Sequence, residues 1–257
     1  MIIRTPRRRR TRDGIDKFDG HPERQIIERV ESEYQLIEIA SHPIFGNQLI
    51  IDGDLQISES DHAYNAALVA PLLTQRQCRR VVVLGGGDGG VLAALAEAAD
   101  QGLSGLERVT LVEIDPVVID LCRAHLPGLH RNAFDHPAVD LRVGDAFAYL
   151  GSLGKSVDAV IYDLTMDPIR PNIERRAFVH EVIGLITGAL RTDGVITMQC
   201  CGQSDVDPNS IADRSKLLGD LRERLDESFY SLVEQHVVIP SFGEPWTFLC
   251  GALRDGG

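Results

Sequence analysis

At 257 residues and 44% hydrophobic content, the chain is long enough for one good-sized α/β core with a small appendage. Its net charge of −12 argues against a nucleic-acid partner for the main body and is compatible with a polycationic substrate. No apolar run approaches the ~20 residues that span a bilayer, and the charged N-terminus is not followed by a signal-peptide core; a cytoplasmic protein with no membrane partner is expected.

Residues 1–24 form a basic arm, with RTPRRRRTR at 4–12, read as a solvated flexible segment; an RNA- or membrane-surface-binding arm is the alternative. The segments RQIIERVES, YQLIEIAS and GNQLIIDGDLQIS then have strand character, with Gly46-Asn47 and Asp52-Gly53-Asp54 as turns between them. They predict a small antiparallel β domain over 25–74. Ser60 or Asp61 is placed to cap a helix that starts near His62 and runs through AYNAALVAPLL, where Pro71 must start or kink a segment.

The second domain, 75–257, is organised around VVVLGGGDGG at 81–90. A β-branched run breaks into a glycine cluster and leads at once into the helix-forming VLAALAEAA. Gly85, Gly87 and Gly90 satisfy GxGxxG in a strand-turn-helix setting, and Gly85, Gly87 and Gly89 satisfy GxGxG, so a ligand is expected on this turn. Strands and helices then alternate: strand 109–113, helix 116–124, strand 139–143, a short helix near 146–151, and strand 158–162. This pattern predicts a doubly wound parallel sheet. A long loop with Pro168 and Pro171 precedes helix 174–190. Asp193-Gly194 turns into strand VITMQC, helix 209–225 follows, and VVIPSF and TFLCGAL close the chain as an antiparallel pair around GEPW. The five cysteines, Cys78, Cys122, Cys200, Cys201 and Cys250, form no CxxC pair and read as buried thiols.

Successive strands deliver a carboxylate to one edge of that sheet. VTLVEID ends in Glu113, about the ~20-residue separation at which an acidic side chain reaches ribose hydroxyls, which makes the ligand a nucleoside. VDLRVGDAF ends in Asp145 and VDAVIYDL in Asp163. Asp88 stands where a dinucleotide's pyrophosphate would pass, so a cationic sulfonium nucleoside suits the edge better than NAD.

GGGDGG, VEIDP, GDAF and the aspartate-rich strand end followed by DP, behind YQ...FGNxLIIDGxLQ...SE, together resemble the spermidine synthase family of polyamine aminopropyltransferases. The resemblance runs from Tyr34 to Leu253. It implies an N-terminal β domain, a methyltransferase-like Rossmann domain, a homodimer, and decarboxylated S-adenosylmethionine as co-substrate with a small-molecule amine acceptor. It further implies Glu113 at the ribose, Asp145 and Ala146 at the adenine, Gln35 approaching the nucleoside from the β domain, and Asp88 with Asp163 around the donor's ammonium. Asp163 is also the residue assigned to the acceptor amine, and Tyr64 the one that orients it.

Departures from the family pattern cluster on the acceptor side. Asn65 stands in place of His or Gln, and Ala66 in place of a glutamate. The loop from Asp163 to Pro168 has one extra residue, which displaces Asp167; Arg170 replaces a glycine, and Phe242 replaces the tyrosine of I-P-T-Y. The expected acceptor site is therefore Tyr64, Asn65, Asp167, Arg170 and Phe242, with plain putrescine a poor substrate.

The chemistry implied is displacement at a carbon bonded to a sulfonium, with an amine nitrogen attacking. An alkylammonium has no lone pair until it loses a proton, so a carboxylate must hold the cation and relay that proton. Asp163 fits that role, and no metal is needed. The alternatives are a methyltransferase using intact S-adenosylmethionine on the same scaffold, and a nucleoside-sensing protein with a degenerate site.

Overall fold

The computed structural model describes residues 24–74, 78–101, 103, 105–165, 173–203 and 208–254. The basic run at 4–12, Asp167 and Arg170 lie outside the described residues.

Four strands, β1 (Gln25–Glu31), β2 (Leu36–His42), β3 (Gly46–Ile51) and β4 (Asp54–Ser58), form an antiparallel sheet in chain order. The β3–β4 turn is Asp52-Gly53, at φ 50° and 89°, the left-handed pair that a two-residue hairpin loop needs. The expected turn at Gly46-Asn47 lies elsewhere: both residues belong to β3, and the chain reverses over 43–45. There His42 Nδ1 accepts the N–H groups of Ile44 (3.1 Å) and Phe45 (3.3 Å), so an imidazole satisfies the turn amides. Ile37, Ile39, Leu49 and Ile57 face the main core.

Helix α1 (His62–Val69) follows and gives way to a 3-10 segment at Ala70–Thr74, where Pro71 cannot supply an N–H to continue the α-helical ladder. It packs on α2 (Gly90–Gln101) and on the C-terminal end of the large sheet.

The large sheet contains β5 (Arg80–Gly85), β6 (Arg108–Glu113), β7 (Val139–Val143), β8 (Val157–Asp163), β9 (Leu190–Gly202), β10 (Phe229–Ile239) and β11 (Glu244–Leu253). Its spatial order is β10-β11-β9-β8-β5-β6-β7. The strands β5 to β9 pair in parallel, and β11 runs antiparallel to both neighbours, which makes the sheet mixed. The closing turn is at 240–243, four residues that precede β11. Glu244, Pro245 and Trp246, expected in the turn, begin the strand itself. Pro245 is tolerated because it lies beyond the first pairing of β11 with β9, Trp246 opposite Gly202, where the ladder to that neighbour has not begun.

The crossover segments cover both faces. With α2 and α1, helices α3 (Pro116–His125) and α4 (Pro127–His130) lie over the core that the small sheet shares. On the other face α5 (Ala146–Ser152), α6 (Arg175–Ala189) and α7 (Pro208–Ser228) enclose a second core around Tyr162, Ile183, Leu221 and Phe229. From β5 the chain steps outward to β6 and β7, then returns to β8 on the opposite side. The crevice at the carboxyl ends of β5 and β8 is thus the topological switch point, where ligands bind in folds of this kind.

Hydrogen bonds stitch the small sheet to the large domain. Asn47 Nδ2 donates to the His125 carbonyl (2.6 Å), and Glu59 accepts from the backbone N–H of Asn47 (2.9 Å) and of Gly128 (2.8 Å). His125 Nε2 lies 2.6 Å from Glu28 Oε2.

Candidate active site

The glycine turn is built around two close approaches. Gly85 sits at φ 76°, and a Cβ there would lie 2.5 Å from the backbone oxygen of Asp163 on the neighbouring strand. Only glycine satisfies both conditions. Gly87 has no positive φ, yet a Cβ on it would meet Glu113 Cγ at 2.8 Å, so the bare backbone lets the Glu113 side chain lie across the turn.

Two aspartates flank this turn. Asp88 Oδ1 accepts the N–H of Gly90 at the start of α2 (2.7 Å), and burial pushes its carboxyl above the usual range. Asp163, the last residue of β8, is pushed up to about 7, first by burial and then by the negative charge of Asp88. Tyr64 on α1 opposes that shift by donating its hydroxyl to Asp163 Oδ1 (2.7 Å). The Tyr64 phenol is itself held well above its usual pKa by burial and by Asp163, so it remains a donor. The expected grouping of Tyr64, Asp88 and Asp163 is thus present.

Glu113 ends β6 almost fully buried, and burial pushes it up to about 7. Its Oε1 accepts the N–H of Asp115 (3.0 Å). Asp115 caps α3 through the N–H of Val117 (3.0 Å), and its Oδ2 receives Ser32 Oγ (2.6 Å) and Gln35 Nε2 (3.1 Å). Gln35 therefore reaches from the β domain to the end of β6, with its amide nitrogen engaged on Asp115. Asp145 caps α5 by accepting the N–H groups of Phe147 (2.8 Å) and Ala148 (3.1 Å), with Ala146 buried behind it. Gly144 N–H donates to the Glu113 carbonyl (2.9 Å), which joins the ends of β6 and β7 and brings Asp145 to the same edge as Glu113.

Across the crevice stands an aromatic wall. The Tyr64 ring meets Phe248 edge-on at 5.2 Å and Phe242 at 6.1 Å, and Phe242 packs on Trp246 at 4.9 Å. Trp246 Nε1 donates to Gln199 Oε1 (3.0 Å), and Gln199 Nε2 donates to the carbonyl of Leu164, one residue past Asp163 (2.5 Å). Trp246 thus packs within the closing hairpin, in β11 itself. Asn65 lies against Gly90, buried, with neither its amide oxygen nor its amide nitrogen hydrogen-bonded among the described residues. This puts it beside the glycine turn. Ala66 is exposed: at ~100° per residue it points away from the face that carries Tyr64, so its replacement of a glutamate does not alter the aromatic wall.

Sequence reasoning assigns no role to Asp115 or Gln199. The signal for the first is an aspartate directly before Pro116, an N-cap preceding proline at N1. For the second it is a lone amide in the buried stretch VITMQC of β9.

The fold and this cleft define a Rossmann-type protein whose crevice, among the described residues, has Asp88, Glu113, Asp145 and Asp163 along one edge and an aromatic wall across from it. The sequence model of the spermine/spermidine synthase domain matches residues 61–250. The chain is 34% identical over 228 residues to polyamine aminopropyltransferase 1 of Hyperthermus butylicus, covering 86% of this chain and 73% of that protein. It is 36% identical over 229 residues to the polyamine aminopropyltransferase of Pyrobaculum calidifontis, covering 87% and 74%. Among solved structures it matches the spermidine synthase from Thermotoga maritima with a TM-score of 0.70 at 22% identity, over 89% of this chain and 72% of that one. A spermidine synthase in complex with the transition-state analogue AdoDATO matches at 0.71, with 22% identity and the same shares covered. The chain belongs to the spermine/spermidine synthase family.

Proposed function

We propose that this protein transfers the aminopropyl group of decarboxylated S-adenosylmethionine to an amine. The observation that carries this reading is the Asp88–Asp163 pair with Tyr64 bonded to Asp163. Among the described residues, the groups that shift Asp88, Glu113 and Asp163 are neighbouring carboxylates, backbone N–H groups, Tyr64 and His130, with no Lys or Arg among them. Such a cleft attracts a donor that ends in an ammonium and repels one that carries a carboxylate. Methyl transfer from intact S-adenosylmethionine is disfavoured on that ground, and the relatives are named as aminopropyltransferases.

In this reading Glu113 accepts from the ribose hydroxyls, Asp145 and Ala146 border the adenine, and Gln35 closes the nucleoside side. Asp163 holds the acceptor ammonium and takes its proton. The freed lone pair forms the new N–C bond as the C–S electron pair returns to sulfur, so the sulfonium leaves as a neutral thioether. Positive charge moves from sulfur to nitrogen along a path lined by preorganised carboxylates, which stabilise it.

The acceptor has one amine and an anionic or apolar remainder. Phe242 offers no hydroxyl to a second ammonium, which would lose solvation without recompense. Arg170 is assigned to the remainder of the acceptor, as a guanidinium that pairs with a carboxylate and repels a diamine. A homodimer in the cytoplasm is the expected setting. Apolar Ile26 and Ile27 on the edge strand β1, and Val233 and Val238 on the edge strand β10, are exposed and support self-association.

The test is mass spectrometry of the purified protein with each donor and a panel of monoamines and diamines. Aminopropylated monoamine with release of methylthioadenosine supports the reading; S-adenosylhomocysteine from intact donor overturns the donor assignment. Efficient turnover of putrescine, unchanged by Arg170→Gly, overturns the acceptor assignment.

A further inference from the structure

Asp61 is fully buried, and no Arg, Lys or His forms an ion pair with it among the described residues. Its carboxylate is instead surrounded by neutral donors. Oδ2 accepts the N–H of Ser58 (2.8 Å) and the hydroxyl of Ser241; Oδ1 accepts the N–H of Ser241 (3.1 Å) and the hydroxyl of Ser60 (3.3 Å). The Asp61 carbonyl accepts the N–H of Tyr64 (3.0 Å).

These bonds join three segments: the end of β4, the first turn of α1, and the tip of the β10–β11 hairpin, 180 residues away in the chain. Two of the attachment points lead straight to aromatic residues of the acceptor wall. Tyr64 lies in the turn of α1 that Asp61 begins. Phe242 is the residue after Ser241, and its N–H, like that of Gly243, donates to the Ile239 carbonyl (3.1 Å each) in a tight reversal. A buried anion held only by N–H and O–H donors is costly to bury, and its charge-assisted bonds are short and directional. It is well suited to holding a hairpin tip in register, which an apolar contact would leave free to slide.

We propose that Asp61 is a positioning residue for the acceptor: by clamping Ser241 it sets the separation between the Phe242–Trp246 wall and the Tyr64–Asp163 pair, and so the size of amine the cleft accepts. This inference rests on the aminopropyl-transfer reading for its substrate. Binding of the donor's nucleoside part is separate from the clamp, because Glu113 and Asp145 end β6 and cap α5 and make no bond to Asp61 or Ser241 among the described residues.

Asp61→Asn puts an amide N–H₂ against groups that are themselves donors, and Ser241→Ala removes one of the donors to the carboxylate. Both variants should raise KM for the amine, by about 10-fold for Asp61→Asn and a few-fold for Ser241→Ala. Affinity for methylthioadenosine, measured by calorimetry, should stay within about twofold, and kcat should change less than KM. Ser241→Thr keeps the hydroxyl and should restore the wild-type KM. The double variant should be no worse than Asp61→Asn alone, as expected for two partners in one interaction.

A second readout needs no turnover. Trp246 is the sole tryptophan of the chain and packs on Phe242, so its emission reports the hairpin tip. Asp61→Asn and Ser241→Ala should shift it to the red, and Ser241→Thr should not. If Asp61→Asn fails to fold, the Ser241→Ala and Ser241→Thr pair still decides the matter. Unchanged emission with unchanged KM overturns the proposal, as does a fall in nucleoside affinity in step with amine affinity. Absence of aminopropyl transfer in the wild-type protein would count against the functional reading alone, since the emission of Trp246 would still test the clamp.

Discussion

The hydroxyl of Tyr64 points at Asp163 Oδ1 across 2.7 Å, joining helix α1 to the end of strand β8. That bond favours the ionised form of Asp163, while burial and Asp88 disfavour it. Tyr64→Phe therefore raises the Asp163 pKa further. In the proposed mechanism the ionised form takes the acceptor's proton, so the acid limb of the kcat/KM profile should move up by about one to two pH units, with roughly tenfold lower activity at pH 7. A profile superimposable on wild type would remove the tyrosine from this role.

Asp163→Asn should lower turnover by about 10²-fold or more and leave methylthioadenosine affinity within a few-fold. It should also change how stability depends on pH. The wild-type carboxyl is pushed up from 3.8 to about 7, so the folded protein retains a proton that the unfolded chain has released. Its contribution to stability is present below about pH 4 and lost as pH rises through about 7. Asn cannot ionise and escapes that loss. The Tm of the variant relative to wild type should be higher at pH 8 than at pH 5 by about 4 °C or more, measured by scanning calorimetry.

Glu113 has the same sign in a binding experiment. With its carboxyl at about 7 in the free protein, it is mostly protonated at pH 6 and mostly ionised at pH 8. Nucleoside affinity should rise about tenfold over that interval if, as proposed, the ionised carboxylate accepts both ribose hydroxyls. Titration of Glu113→Gln with methylthioadenosine should give a weaker and nearly pH-independent affinity. A pH dependence that persists in this variant would assign it to another group.

Gly87→Ala tests the close approach of the turn to Glu113. Its Cβ would lie 2.8 Å from Glu113 Cγ and 2.9 Å from Oε2, so the carboxylate must swing away from Asp115. Because φ at this position is not positive, the backbone tolerates alanine and the fold should persist. Nucleoside affinity should fall about tenfold or more by calorimetry, with an unchanged far-ultraviolet circular dichroism spectrum. Equal affinity would mean that Glu113 does not bind the ribose.

The sheet and the placement of its carboxylates are legible in the sequence because both are local. A β-branched run that breaks at VVVLGGGDGG marks the centre of a parallel sheet, and the short distance from strand to following helix puts Asp88, Glu113, Asp145 and Asp163 at one edge. The small helix α4 and the 3-10 turn at Ala133–Asp135 are not legible, since four residues or fewer carry no periodicity. Pro245 misplaces the last turn, because proline near the start of a strand reads like proline in a loop. Ala66 reads as a change in the acceptor pocket, and only helical geometry turns it outward. Asp61 and Gln199 are invisible as site residues because their partners, Ser241 and Leu164, lie 180 and 35 residues away. Pairing at such range depends on strand order, which hydropathy does not encode.

The polar seam formed by Glu28, Asn47 and Glu59 with α3, α4 and the loop between them governs how the molecule comes apart. The four-stranded sheet shares its apolar face with the same core as β5 and α2, and its half-buried Glu28, Asn47 and Glu59 find partners on the larger domain. Detaching it would break those bonds and expose Ile37, Ile39 and Leu49 at once. The two sheets therefore behave as a single foldon. A thermal scan should show one cooperative transition, and amides of β2 and β3 should exchange with solvent on the same timescale as those of β5, through global opening alone.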